Sequence, residues 1–296
     1  MRPTLFGAMQ PPASFDRLGA IPPVSPVVIS VPHAGRDYPL SLRAALRVPE
    51  RALLPLEDRH VDAIALAARG EETLFVQRRA RAWIDLNRSE DERDPRVDEG
   101  ADPKAQPIQS AKLRSGLGLV PRRASGAGDL WRRRFADAEI VGRIAQDHRP
   151  YHTAIAEALS AAHARFGVAV LLDVHSMPPL TTMDGLSGLV PRLVVGDRFG
   201  RSSAARFVAR LEAEATAARI PLALNAPYAG GHILDRHARP SSGIHAIQLE
   251  IDRSLYLDRR LDALGPGVEA TTILLREMIA ALADEALALP LATAAE

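Results

Sequence analysis

His33 and His175 are the residues of this chain best placed to do chemistry. Each follows an apolar, strand-like run, Val27-Val-Ile-Ser-Val-Pro before His33 and Val168-Ala-Val-Leu-Leu-Asp-Val before His175. Open α/β sheets place their ligands just outside the carboxyl ends of their strands. Two imidazoles at such ends, with acidic residues between them in the sequence, point to a catalytic metal site of the His/His/carboxylate kind. The chain has no cysteine, so disulfides and thiolate ligands are excluded and any metal must rest on His, Asp or Glu.

The carboxylate has candidates in Leu56-Glu-Asp-Arg-His-Val-Asp62. Glu57 or Asp58 stands where a helix should begin, and plain helix capping is the alternative role for either. His60 reads as a surface helix residue, and Asp62 as solvated or paired with an arginine. Asp173 lies two residues before His175, so in extended chain both side chains share a face and Asp173 can orient the imidazole.

Three further segments carry candidates. Ala82-Trp-Ile-Asp-Leu-Asn-Arg88 ends in Asn87 and Arg88, an amide and a guanidinium suited to gripping a substrate carboxylate; a structural salt bridge is the alternative for Arg88. In His245-Ala-Ile-Gln-Leu-Glu-Ile-Asp-Arg253, alternation puts Ile247, Leu249 and Ile251 on one face and Gln248, Glu250 and Asp252 on the other. A carboxylate in an apolar strand is costly unless paired or used. Glu250 is therefore the candidate general base, its pKa raised by burial, unless it forms an ion pair with an arginine such as Arg253. Ala226-Pro-Tyr-Ala-Gly-Gly-His232 reads as a Gly-rich loop allowing close backbone approach to a ligand, with Tyr228 or His232 touching it. Asn87, Arg88, Ser176, His232 and Arg253 are thus the expected substrate contacts.

The elements that must position these residues follow from periodicity. Strands are expected at 26–32, 73–78, 168–174, 192–195, 221–224 and 245–251, and at 82–86 as a hairpin partner of 73–78. Helices are expected at 58–69, 202–218 and 267–288, and over most of 129–166 with a break near Pro150 and a stop at Gly167. Residues 1–25 read as a Pro-rich irregular arm. Residues 89–128, rich in Asp, Arg, Pro and Gly, read as an irregular insertion near the active site. Strands alternating with helices argue for a single α/β domain over 1–296, a three-layer sandwich with a mixed central sheet.

Composition limits the function classes. Of the 296 residues 47% are hydrophobic and 25% charged, ordinary for a globular protein. A net charge of +1 gives no reason to expect nucleic acid. The basic run Trp131-Arg-Arg-Arg-Phe135 reads as one face of a helix, with no further basic stripe beside it. No run approaches the length of a membrane span, and the first residues lack a leader pattern, so a cytoplasmic enzyme is expected.

Taken in order, Ser30-Val-Pro-His-Ala-Gly35, Asp58 with Val61-Asp62, Asp85-Leu-Asn-Arg88, Pro150-Tyr-His152, Asp173-Val-His-Ser176, Gly230-Gly231 and Ala246-Ile-Gln-Leu-Glu250 through Arg253-Ser-Leu-Tyr256 resemble the N-formylglutamate amidohydrolase family. The resemblance covers residues 26–258. It implies a fold similar to zinc carboxypeptidases and aspartoacylases, with one zinc, or another divalent transition metal, held by His33, Asp58 and His175. It implies Glu250 as general acid/base and Arg88 with Asn87 as the carboxylate grip. The carboxypeptidases place their acidic ligand three residues after the first His, and here that position is Arg36. The expected reaction is hydrolysis of N-formyl-L-glutamate to formate and glutamate, as in the last step of histidine degradation. The alternatives are deacylation of another N-acyl amino acid or small peptide and, more remotely, metal or ligand binding without catalysis.

Overall fold

The two best apolar runs of the sequence become neighbouring strands in the middle of one sheet. In the computed structural model, residues 13–102, 111–181 and 190–288 are described. The strands are β1 (Phe15–Leu18), β2 (Val27–Val31), β3 (Thr73–Gln77), β4 (Arg123–Ala124), β5 (Gly128–Asp129), β6 (Ala169–Met177), β7 (Leu193–Gly196), β8 (Leu222–Leu224) and β9 (Ile244–Asp252). The helices are α1 (Leu40–Ala45), α2 (Val61–Ala68), α3 (Ala111–Arg114), α4 (Asp137–Arg143), α5 (Arg149–Phe166), α6 (Ala205–Ala217), α7 (His232–His237) and α8 (Val268–Leu287).

Seven strands form a mixed sheet in the order β1-β3-β2-β6-β9-β7-β8. The central strands β3, β2, β6 and β9 run parallel, while β1 and β7 pair antiparallel. Parallel strands covered on both faces read as continuous apolar runs, which is why β2 and β6 are buried at every residue. One face packs Val27, Ile29, Leu172, Val174, Ile247 and Leu249 against α2, α6 and α8. The other packs Val28, Phe75, Leu171 and Ala246 against α5 and α7. The result is a mixed α/β fold with helices on both faces of a mixed sheet. Leu172 is fully buried on the α2/α8 side, so Leu172→Ala should destabilise the protein by about 2–5 kcal/mol. A urea midpoint unchanged from wild type would contradict that.

Four local expectations are corrected. Residues 82–86 form turns and no hairpin; Ala82, Ile84 and Leu86 alternate inward because the turn docks into the α5/α7 core. Residues 15–18 of the expected irregular arm form the edge strand β1, and residues 1–12 lie outside the described residues. The segment Trp131–Phe135 is not helical: Trp131 and Phe135 stack edge-on at 5.1 Å in the core, and Arg133 pairs with Glu139. Pro150 makes no break. The chain winds without interruption from α4 into α5 through a π-helical turn, Ile144–His148, whose next N–H, that of Arg149, bonds to the Ile144 carbonyl. Proline clashes with the carbonyl four residues back in α-helical winding, and the wider turn relieves that clash. Residues 89–128 are largely irregular as expected, apart from α3 and the β4/β5 ribbon, and 103–110 lie outside the described residues.

Candidate active site

Strand parity places the site. On β2, β6 and β9 the apolar residues Ile29, Leu172, Val174, Leu249 and Ile251 point to one face. Ser30, Asp173, His175, Gln248 and Glu250 alternate with them and so point to the other. Register pairs Ser30 with Asp173, Asp173 with Gln248, and His175 with Glu250 on adjacent strands. His175 lies inside β6, two residues short of its end, whereas His33 follows β2 as expected.

His33, Asp58 and His175 offer one ligand atom each, all within 4.8 Å of one another. Asp58 Oδ2 lies 2.9 Å from His175 Nδ1 and 3.7 Å from His33 Nδ1. Both imidazoles turn Nδ1 inward because a carboxylate holds the other nitrogen. His33 Nε2 is 2.7 Å from Asp85 Oδ1, and His175 Nε2 is 2.8 Å from Asp173 Oδ2. Ser30 Oγ in turn donates to Asp173 Oδ1 at 2.8 Å. Glu57 faces elsewhere, accepting from the Tyr38 hydroxyl and from Arg59. His60 bonds a loop carbonyl, and Arg36 forms a bidentate pair with Asp62.

These residues fit a metal ion on two counts. His33 Nδ1 is buried and has no hydrogen-bond partner, so a lone pair points into the cluster unused. The donor set, two imidazoles backed by carboxylates plus one aspartate, is that of a site leaving one coordination position open. Carboxylates behind ligating histidines typically contribute about 10–100-fold in metal affinity. Asp85→Asn is therefore expected to weaken zinc binding by about that factor, read by direct titration of metal-free protein; unchanged affinity would remove Asp85 from the site.

Charge is distributed unevenly. Burial would raise the Asp85 carboxyl, but Arg81, Arg88 and His33 outweigh it and hold it well below the usual range. Asp58 is likewise held low against its burial by His175 and His33. Glu250 goes the other way. Burial, with the Asp58 charge adding, pushes its carboxyl up to about 7 although His175 and Arg81 oppose the shift. Its Oε1 accepts from Gln248 Nε2 at 2.8 Å. Arg253 does not pair with it: the guanidinium donates to Ser176 Oγ, the Glu57 carbonyl and Asp58 Oδ1.

A cavity of about 370 Å³ opens over this floor, lined by His33, Asp58, His175 and Glu250 together with Arg81, Asn87, Arg88, Lys112, Ser176, Tyr228 and Arg253. Arg88 is anchored by bonds to the Leu117 and Asn87 carbonyls. Asn87 ties elements together: Oδ1 accepts from Ile233 N and Nδ2 donates to Gln248. The glycine pair serves this contact, since a Cβ on Gly231 would come within 2.5 Å of Asn87 Oδ1. His232 is not brought to the cavity; it starts α7, a helix the Gly-rich reading did not foresee, and faces His148 and His152 instead. Sequence reasoning missed Arg81 and Lys112. Lys112 carried a signal, being one of only two lysines in an arginine-rich chain; Arg81 carried none.

Comparison with known proteins gives one answer. The family model described as N-formylglutamate amidohydrolase matches residues 25–257. The chain is 31% identical over 268 residues to an N-formylglutamate deformylase of Pseudomonas aeruginosa, covering 87% of this chain and 92% of that protein. It is 30% identical over 273 residues to the protein of that name from Pseudomonas putida, with the same coverages. The crystal structure of N-formylglutamate amidohydrolase from Ralstonia eutropha superposes with a TM-score of 0.82 at 30% identity, over 92% of this chain and 98% of that one.

Proposed function

Because this chain belongs to the N-formylglutamate amidohydrolase family, we propose that it hydrolyses the amide of N-formyl-L-glutamate, releasing formate and L-glutamate, with a single zinc ion as cofactor. One observation supports this reading most: Glu250, a buried carboxyl with its pKa near 7, stands beside His175 on the floor of a cavity that also presents Arg81, Arg88, Lys112 and Arg253. A base poised near the working pH is what proton transfer in amide hydrolysis needs.

His33, Asp58 and His175 would hold the metal. A divalent ion there supplies Lewis acidity, acidifying water and polarising a carbonyl oxygen. Glu250 takes a proton from the attacking water and returns it to the amine nitrogen as the C–N bond breaks. Water thus adds across the amide, leaving formate and the amino group of glutamate. Arg88, Lys112 and Arg253 offer three cationic groups for the two carboxylates of the substrate, and Asn87 fixes the turn that carries Arg88. A charge-assisted hydrogen bond contributes about 1.5–3 kcal/mol, so Arg88→Ala should lower kcat/KM by about 10–100-fold, mostly through KM. Equal loss for a substrate with no side-chain carboxylate and for N-formyl-L-glutamate would assign Arg88 to the α-carboxylate alone.

The reading includes a kinship of fold with zinc carboxypeptidases and aspartoacylases, a single domain, and a place at the end of histidine degradation in the cytoplasm. No helix among the described residues is long and apolar enough to cross a membrane. Formate release from N-formyl-L-glutamate, measured before and after chelation and after zinc is restored, tests the proposal. Release that disappears and returns supports it. A folded, zinc-loaded protein that releases no formate but cleaves another N-acyl amino acid would replace the substrate and keep the site.

A further inference from the structure

Behind the turn that carries Asn87 and Arg88, a second group of histidines meets. His148 and His152 are four residues apart, so they share one face of the winding. His232 comes from the start of α7. The ring centres of these three lie 4.4, 5.4 and 5.8 Å apart. Imidazole nitrogens bound at about 2.0–2.1 Å around a tetrahedral ion put ring centres roughly 5 Å apart, so the spacing suits one shared ion. One nitrogen from each ring can be chosen so that all three lie within 4.8 Å of one another.

The hydrogen bonds show which nitrogens are available. His148 Nε2 is 2.9 Å from the Arg88 carbonyl, and His152 Nε2 is 3.0 Å from the Leu86 carbonyl. A carbonyl only accepts, so each Nε2 carries the proton and each Nδ1 keeps its lone pair. His148 is fully buried, and its Nδ1 has no hydrogen-bond partner. His232 Nε2 is buried without a partner as well. His152 Nδ1 accepts from His237 Nε2 at 2.9 Å, a hydrogen bond that an ion on this nitrogen would displace. Two orphaned imidazole nitrogens in one buried cluster would be costly with nothing between them. The rings are also ready as ligands: burial lowers His148 and His152, and brings His232 to about 4, so all are neutral at pH 7. Glu90 Oε1, held by Arg149, lies 3.6 Å from His148 Nδ1, and Asp235 and Asp85 add negative charge at His232, which Arg236 opposes.

We propose that His148, His152 and His232 form a second metal site, separate from the catalytic cluster, that takes a divalent transition ion through three neutral imidazoles. Imidazole suits zinc, cobalt, nickel and copper, with zinc favoured by tetrahedral spacing. Its role is structural: it ties α5 to α7, and through the two carbonyl bonds it steadies the 86–88 turn. The site does not depend on the proposed reaction.

The test counts ions in untagged full-length protein stripped by chelation and dialysed against zinc alone. Two ions per chain are expected, falling to one in His148→Gln/His232→Ala, where glutamine can keep the bond to the Arg88 carbonyl. That remaining ion should be absent when His33→Ala and His175→Ala are added. One ion per chain in the wild type that the catalytic-cluster variant loses, or two ions that survive in the His148→Gln/His232→Ala protein, would overturn the second site. An ion lost only from the His148→Gln/His232→Ala protein would support this site while the catalytic reading failed. Should the double variant not fold, His232→Ala alone is titrated; affinity for the second ion must fall at least tenfold, and a smaller change overturns the proposal.

Discussion

Replacing Glu250 with glutamine lowers kcat by about a hundred- to ten-thousand-fold while the protein stays folded and its metal content is unchanged. The substitution keeps the shape of the side chain and an oxygen able to accept from Gln248 Nε2, so packing between β6 and β9 is preserved. What it removes is a group that can carry a proton. The carboxyl is pushed up to about 7 chiefly by burial. Only its ionised form accepts a proton from water, so kcat/KM of the wild type falls as pH drops through that value. A divalent ion at the adjacent histidines favours the carboxylate and moves this limb to lower pH. Rates measured across pH check both points. Glutamine-variant activity near that of wild type, or an acid limb shared by both proteins, would remove Glu250 as the base.

Asp58→Ala is expected to abolish metal binding and to cost stability even in metal-free protein. Asp58 is buried among His33, His175 and Arg253, with Oδ1 3.2 Å from the Arg253 guanidinium. Taking one partner from a buried ion pair leaves the other charge uncompensated, typically about 3–5 kcal/mol. The pH dependence has a definite sign. The Asp58 carboxyl is held well below its ordinary 3.8, so its contribution is complete above that pH and is lost as pH falls toward the folded value. The gap in urea midpoint between the metal-free proteins should therefore be widest near neutrality and narrow in acid. A gap that widens in acid would contradict the assignment, as would a variant that still binds zinc at wild-type affinity.

The site was legible where chemistry and periodicity coincide. His33 and His175 stand at or near the ends of apolar strands, and Glu250 stands on the polar parity of β9. The choice between Glu57 and Asp58 turned on rotation at the entry to α2, which spacing does not encode. Asp85 as the partner of His33 was illegible because 52 residues separate them and the segment around Asp85 mimics a strand. Its inward Ala82, Ile84 and Leu86 alternate as strand residues do, yet no neighbouring strand pairs with them. His232 was misplaced for a related reason: its direction is set by α7, a six-residue helix too short to show periodicity. Lys112 lies in a stretch without apolar pattern, so only tertiary folding brings it to the cavity.

The widened turn at Ile144–His148 also sets how the chain can change in length. The Arg149 N–H closes on a carbonyl one residue further back than in an α-helix, and the winding on either side is α-helical. A turn closed five residues back holds about one residue more than an α-helical turn, so deleting one residue within it would restore ordinary winding and leave the downstream phase nearly unchanged. Tyr151, Ile155 and Leu159 would stay on the sheet and His152 would keep the Leu86 carbonyl, whereas a deletion within α5 itself would swing the residues after it by about 100°. These five residues are thus a place where a lineage can drop one residue without turning a whole layer of the fold.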